Sequence, residues 1–194
     1  ANAGVGIHNI QYAYTSSFGC KDSVSTTIRV FPKPVSKFGY QRDVCLGDSI
    51  RFKDSASISS GKIINWNWDF GDATNALRLD SNAFFKNYGT ANTFTVKLAV
   101  TSDSLCVSDT FPLNVTVRQR PISTITASAR LCKDTLVTFT PTSSFGSGAI
   151  QSWYYNFANT QTITTNNSNP VTTTYLTPGS YIVKHAVNAG LGCT

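Results

Sequence analysis

Residues 65–72 read Asn65-Trp66-Asn67-Trp68-Asp69-Phe70-Gly71-Asp72, and an echo, Ser152-Trp153-Tyr154-Tyr155-Asn156-Phe157-Ala158-Asn159, follows at an offset of 87 positions (153 − 66). The same offset carries Cys45 onto Cys132, Ile50 onto Val137, Phe52 onto Phe139, Tyr88 onto Tyr175, Phe94 onto Tyr181 and Cys106 onto Cys193. Self-similarity at a fixed period marks a repeat array. A period of 87 is too long for a solenoid motif and suits a small complete domain. Side chains alternate along a strand, so Trp66, Trp68 and Phe70 share one face while Asn65, Asn67 and Asp69 share the other. Rings of that size supply much of the core of a small domain. Trp66, Trp68, Phe70, Trp153, Tyr155 and Phe157 are therefore the expected core motif.

Upstream, Ile10, Tyr12 and Tyr14 alternate with polar neighbours over 7–15, the pattern of a half-buried strand. Shifted by 86 they fall on Val96, Leu98 and Val100, while Val24, Ile28 and Val30 shifted by 87 fall on Phe111, Val115 and Val117. Residues 1–34 are thus expected to be the last two strands of a truncated domain. Residues 35–121 are expected to be a complete domain, and 122–194 a third copy lacking its last strand. Phe31-Pro32-Lys33-Pro34 and Arg118-Gln119-Arg120-Pro121 occupy matching places as short connectors. Proline fixes φ and restricts the residue before it, so these connectors predict abutting domains in a stiff line. In the complete copy, Val35–Arg42, Ser49–Ser55, Phe94–Thr101 and Thr110–Val117 are expected strands, with a turn over Asp43–Asp48. In the last copy Thr135–Thr140, Ile150–Phe157 and Tyr181–Val187 take their places.

Of the 194 residues 16 are Lys or Arg and 10 are Asp or Glu, a net charge of +6 spread without a basic patch. Nucleic-acid binding asks for clustered Lys and Arg, so it is not expected. Glutamate and methionine are absent, charged residues are only 13%, and Thr, Ser and Asn abound, a β-rich and extracellular-looking composition. No stretch approaches the ~20 apolar residues of a membrane helix.

The Trp-Asp-Phe-Gly-Asp run of residues 68–72, followed by Tyr88 and then Thr93-Phe94-Thr95-Val96-Lys97-Leu98-Ala99-Val100-Thr101, resembles the PKD domain. The resemblance is weaker in the last copy, where Asp69, Gly71 and Asp72 become Asn156, Ala158 and Asn159. The cysteine placement resembles repeats of giant secreted surface proteins and gliding adhesins of Bacteroidetes-type bacteria. The resemblance implies an all-β fold of tandem immunoglobulin-like (PKD) β-sandwiches arranged end to end.

Two cysteines per period in a secreted array imply disulfides. In a sandwich of this topology the turn before strand B and the turn between strands F and G lie at opposite ends, roughly 17–20 Å apart, whereas bridged Cα atoms lie within about 7 Å. The reading taken is an inter-domain bridge between Cys45 and Cys193, with Cys20, Cys106 and Cys132 bonded elsewhere or free. The alternatives are Cys45 with Cys106 and Cys132 with Cys193, or reduced thiols throughout.

Catalytic motifs are lacking: no HExxH, CxxC or GxSxG occurs, and the cysteine spacing fits no zinc module. His8 and His185 fall on strand patterns, where a structural histidine is the expectation. Asp69 and Asp72, with Asp48 or Asp54 nearby, form a weak calcium candidate against the alternative that they cap turn amides. No other cofactor is expected. Ser23, Ser49, Ser55, Ser104 and Thr135 follow Asp and precede an apolar residue in four cases and Ala in one, a pattern resembling Bacteroidetes O-glycosylation. Asn114 and Asn166 begin N-glycan sequons. The functional expectation is a non-catalytic segment of a secreted surface fibre or adhesin stalk. Its partners would be neighbouring repeats, other copies or surface glycans, with no nucleic acid and no membrane insertion. The alternatives are an accessory polysaccharide-binding module of a secreted hydrolase and a filament subunit assembled by strand donation.

Overall fold

A computed structural model describes residues 3–128, 132–190 and 193. Its elements are all strands: β1 (Gly6–Thr15), β2 (Lys21–Val30), β3 (Phe38–Tyr40), β4 (Val44–Cys45), β5 (Ser49–Asp54), β6 (Ile63–Asp69), β7 (Asn75–Arg78) and β8 (Phe84–Asn87). They continue with β9 (Asn92–Ser102), β10 (Phe111–Arg118), β11 (Ile125–Ala127), β12 (Leu136–Pro141), β13 (Ser152–Asn156), β14 (Thr162–Thr165), β15 (Val171–Thr174) and β16 (Lys184–Asn188). The chain divides into two compact units. One comprises Ala1–Tyr40, Phe52–Phe84 and Thr95–Asn114, the other Gln41–Arg51, Phe85–Phe94 and Val115–Thr194.

The sheets follow the order β4-β10-β9-β6-β7 and β3-β5-β8 in the middle of the chain, and β14-β13-β16 and β11-β12-β15 near its end. These are the two-sheet layers of an immunoglobulin-like sandwich. β6 pairs antiparallel with β9, placing Trp66 opposite Val100 and Trp68 opposite Leu98. β13 pairs with β16 in the matching register, Trp153 opposite Val187 and Tyr155 opposite His185.

In the first unit the core is a raft of rings. Phe38 lies 4.8 Å from Trp68, Trp68 5.1 Å from Phe84 and Phe52 6.0 Å from Phe70. Trp66, Trp68 and Phe70 are all buried, as period-two alternation on a sheet packed on one face requires. The second unit holds a core of Val137, Phe139, Trp153, Tyr155, Phe157, Val171, Tyr175 and Val187. Ring geometry repeats along with sequence: Trp68 and Phe70 stack at 6.3 Å and Tyr155 and Phe157 at 6.0 Å, while Tyr88–Phe94 and Tyr175–Tyr181 both approach to 4.2 Å.

Three expectations differ from the structure, the first being the strand over Tyr181–Val187, since β16 begins only at Lys184. Ile10, Tyr12 and Tyr14 do lie on a strand, yet they are exposed and not half-buried. The reason is that β1 pairs with β2 alone in a two-stranded sheet, so no second layer covers this face among the described residues. The turn expected over Asp43–Asp48 contains β4, whose Val44 and Cys45 pair in parallel with Val117 and Arg118 of β10.

Candidate functional site

The stretch that ends β6 is a pair of turns built on carboxylates. Asp69 Oδ1 accepts the Gly71 amide at 2.9 Å, and Asp72 Oδ1 accepts the Thr74 amide at 3.1 Å. The other oxygen of Asp69 faces Lys97 Nζ at 3.7 Å. One period later the same bonds are made by amides: Asn156 Oδ1 accepts the Ala158 amide at 3.0 Å, and Asn159 Oδ1 accepts the Gln161 amide at 3.2 Å. What the two copies share is therefore an acceptor oxygen two residues before a turn amide, and not a negative charge. Of the nearby acids, Asp54 caps the Ala56 amide and Asp48 pairs with Arg120. Among the described residues no three His, Cys, Asp or Glu side chains converge on a point where a metal ion would sit.

His185 belongs to β16. Its Nδ1 lies 2.8 Å from Ser123 Oγ, and the same hydroxyl donates to the His185 carbonyl at 2.9 Å. Burial holds its pKa below the ordinary value because the charged form loses hydration. Among the described residues its Nε2 is buried with no hydrogen-bond partner. The ring packs 4.7 Å from that of Tyr155, whose own pKa burial raises. His8 is half-buried on its strand and its Nε2 lies 2.6 Å from the Gly4 carbonyl.

The cysteines give the most definite site. Cys45 and Cys193 are joined by a disulfide, with Cα atoms 5.5 Å apart and a sequence separation of 148. Both are buried and form a small apolar cluster with Ala189, against which Phe145 packs. Cys20, Cys106 and Cys132 are free thiols, so neither Cys45–Cys106 nor Cys132–Cys193 forms. Both bridged cysteines lie in the second compact unit; in terms of the repeat, they join the turn before strand B of the middle copy to the turn after strand F of the last.

Polar contacts surround the bridge. Arg120 donates through Nε to the Leu46 carbonyl at 3.0 Å and pairs with Asp48, and Arg118 pairs with Asp43 at 3.5 Å. The Leu46 amide in turn donates to the Arg118 carbonyl at 2.8 Å. Arg118-Gln119-Arg120-Pro121 was legible in sequence only as a connector. Arg118 is the last residue of β10 and the register partner of Cys45, and Arg120 follows two residues on, which brings the two guanidiniums to Asp43 and Asp48 on either side of β4. Exposed ion pairs of this kind are worth under about 1 kcal/mol each, so the covalent bond outweighs them.

The expected glycan acceptors Ser23, Ser49, Ser55, Thr135, Asn114 and Asn166 are exposed, and Ser104 is half-buried. Thr135 Oγ1 is donated to the Cys132 carbonyl and Asn114 Oδ1 accepts from Thr95 Oγ1.

Residues 32–117 match the PKD domain family. The span takes in the Trp68–Asp72 motif, its ring raft and β10. Among solved structures, the PKD1 domain of the Vibrio cholerae metalloprotease PrtV is similar at 28% identity, over 44% of this chain and 96% of that one, with a TM-score of 0.38. The PKD1 domain of Vibrio anguillarum Epp is similar at 27% identity, over 44% and 95%, with a TM-score of 0.36. The fibronectin(III)-like modules of Clostridium thermocellum CbhA align over 78% and 85% at 12% identity, with a TM-score of 0.42. No curated protein matches the chain. Among the described residues no helix is long and apolar enough to cross a membrane.

Proposed function

We propose that this chain is a non-catalytic, load-bearing segment of a secreted surface protein, built of PKD-type modules at 35–121 and 122–194 behind the strands of 1–34. The observation that carries it is the Cys45–Cys193 bridge, which ties a turn of one copy to a turn of the next and is buried on both sides. A buried disulfide persists in an oxidising, extracellular setting. Tension that reaches Cys45 and Cys193 along the chain is carried by the covalent bond past everything between them. Cores filled by interlocking rings and surfaces of Thr, Ser and Asn suit such a spacer. Its expected partners are neighbouring repeats, other copies or surface glycans.

Single-molecule stretching tests this reading directly. At about 3.3–3.6 Å per extended residue, the sequence separation of 148 spanned by the bridge corresponds to roughly 500 Å of hidden length. Oxidised protein should unfold without releasing that length, and reductant should release it. Equal extension in both conditions would refute the load-bearing role. An accessory role beside a secreted catalytic domain is the second reading, since the PKD family match fits a module of either kind. Polysaccharide binding that survives reduction of the bridge would favour it.

A further inference from the structure

Positive charge that runs evenly through the sequence is gathered by the fold around β4. Four arginines, Arg42, Arg51, Arg118 and Arg120, and two acids, Asp43 and Asp48, all belong to the second compact unit. Arg118 pairs with Asp43, whose Oδ1 also accepts the Thr116 amide at 3.3 Å, and Arg120 pairs with Asp48. Each acid is thereby matched by its own guanidinium. Arg42 and Arg51 are exposed, and among the described residues neither is in an ion pair. Two positive charges are left over at one place, in a chain that has no glutamate to answer them.

The backbone sets these two side chains together. The Gln41 amide donates to the Arg51 carbonyl at 3.2 Å, which brings Arg42, the next residue, beside the start of β5. Arg42 and Arg51 line a polar notch of about 90 Å³, with Gln41 and Ser49 next to them. Along β5, Ile50 and Phe52 are buried, so Arg51 points outward. β8 neighbours β5 in its sheet, and Phe85 of β8 is 66% exposed. In the last copy Thr138 lies opposite Thr172. Arg51 and Phe85 stand 87 positions before these two threonines, so the same register sets an exposed ring across from a guanidinium. The last copy has neither the charge nor the ring at those positions.

Two guanidinium forks with no acid between them are complementary to an anion, and a planar carboxylate can accept both. An uncovered ring beside them offers apolar contact to the C–H face of a sugar. Single-stranded nucleic acid would ask for several rings on which successive bases stack, and this place has one. We propose that the notch binds a uronic-acid residue of an acidic glycan, with the carboxylate between Arg42 and Arg51 and the pyranose ring against Phe85. A notch of this size takes the carboxylate and leaves the sugar ring on the surface. The proposal rests on the reading of the chain as a secreted surface segment with glycans as partners. The stretching experiment reads the load on the bridge and not sugar binding, so each can fail without the other.

Calorimetry on the whole oxidised chain at low ionic strength decides it. A galacturonic acid hexamer should bind, and cellohexaose, equally long but uncharged, should not. Added salt should weaken the binding, because exposed charges are screened. The double substitution Arg42→Ala and Arg51→Thr installs the alanine and threonine that the sequence carries 87 positions further on. It should weaken the hexamer at least tenfold and leave the melting temperature unchanged, since both positions are exposed. Phe85→Thr should weaken it several-fold. Lys62→Thr with Lys184→Thr, which removes the same charge elsewhere, should leave binding intact. The proposal is overturned if the hexamer does not bind, if the arginine variant still binds it, or if the lysine variant loses it as fully. Inorganic sulfate that competes as well as the hexamer, or an oligothymidylate of equal charge that binds more tightly, would overturn the glycan as occupant.

Discussion

At the scale of single residues, the two copies show what their turns require. Gly71 has φ 73°, and a Cβ placed there would lie 2.7 Å from the Thr95 carbonyl oxygen and 3.0 Å from its nitrogen, backbone atoms that cannot step aside. Ala158 sits at the equivalent place with φ 60°, and Ile182, the counterpart of Thr95, is exposed and outside any strand. Gly71→Ala is therefore expected to cost about 1–3 kcal/mol in chemical denaturation, from strain plus the backbone clash. Ala158→Gly should change stability by less than about 1 kcal/mol, because relief of strain is offset by the larger freedom of glycine in the unfolded chain. His185 adds a pH dependence whose sign is fixed by burial. Its folded pKa lies below the unfolded value of about 6.5, so the unfolded chain binds more protons as pH falls below that value. Stability should be full above pH 6.5 and decline as pH drops through the folded pKa. His185→Leu, which installs the residue present as Leu98, should flatten that part of a melting-temperature profile against pH. A profile unchanged by the substitution would count against the account.

At the scale of elements, β9 is flanked on both sides by β6 and β10, whereas β16, 87 positions further in register with β13, is an edge strand among the described residues. Amides of Tyr181, Ile182 and Val183 should exchange with solvent far faster than those of Phe94, Thr95 and Val96, because only the latter lie on a strand flanked on both sides. Equal protection measured by hydrogen exchange would show that the edge is closed. This contrast also explains how much the sequence revealed. Long strands with large alternating side chains, β5, β6, β9, β10, β12 and β13, were legible because period-two burial of rings leaves an unmistakable pattern. β7 and β8 were not located, and β4 was taken for a turn, because four or two residues carry no periodicity and their pairing depends on partners distant in sequence. The strand character of β1 and β2 was readable, but their exposure was not, since alternation reports which face is apolar and says nothing of whether a second sheet lies on it. In the turns, Asp69 and Asp72 suggested a cation, and only the amide bonds, repeated by Asn156 and Asn159, showed the oxygens already engaged. Calcium added to the protein should accordingly leave the melting temperature of the middle copy unchanged, and an upward shift would restore those acids as ligands.

At the scale of the whole molecule, stability should depend on a single covalent bond more than on any polar contact. Closing a loop of 148 residues removes unfolded-state entropy worth at most about 5 kcal/mol in the chain-entropy model, and measured effects commonly fall at about 2–4 kcal/mol. The ion pairs Arg120–Asp48 and Arg118–Asp43 near it are partly exposed, and each contributes less than about 1 kcal/mol. Loss of the bridge also unpacks a buried cluster, because Cys45 and Cys193 touch Ala189 and Phe145. Reduction should thus lower the unfolding free energy by about 2–5 kcal/mol, and the combined substitution Cys45→Ala and Cys193→Ala should reproduce the loss. The free thiols supply the control. Replacing Cys20, Cys106 and Cys132 by Ala removes no disulfide and only the weak Cys106 Sγ–Ser104 carbonyl hydrogen bond, so that variant should nearly match the parent when oxidised and lose the same increment when reduced. If reductant leaves its transition unmoved, the bridge does not hold the fold. If the triple variant is already destabilised before reduction, one of those three thiols bonds in solution, and the covalent frame of the molecule has a different pattern.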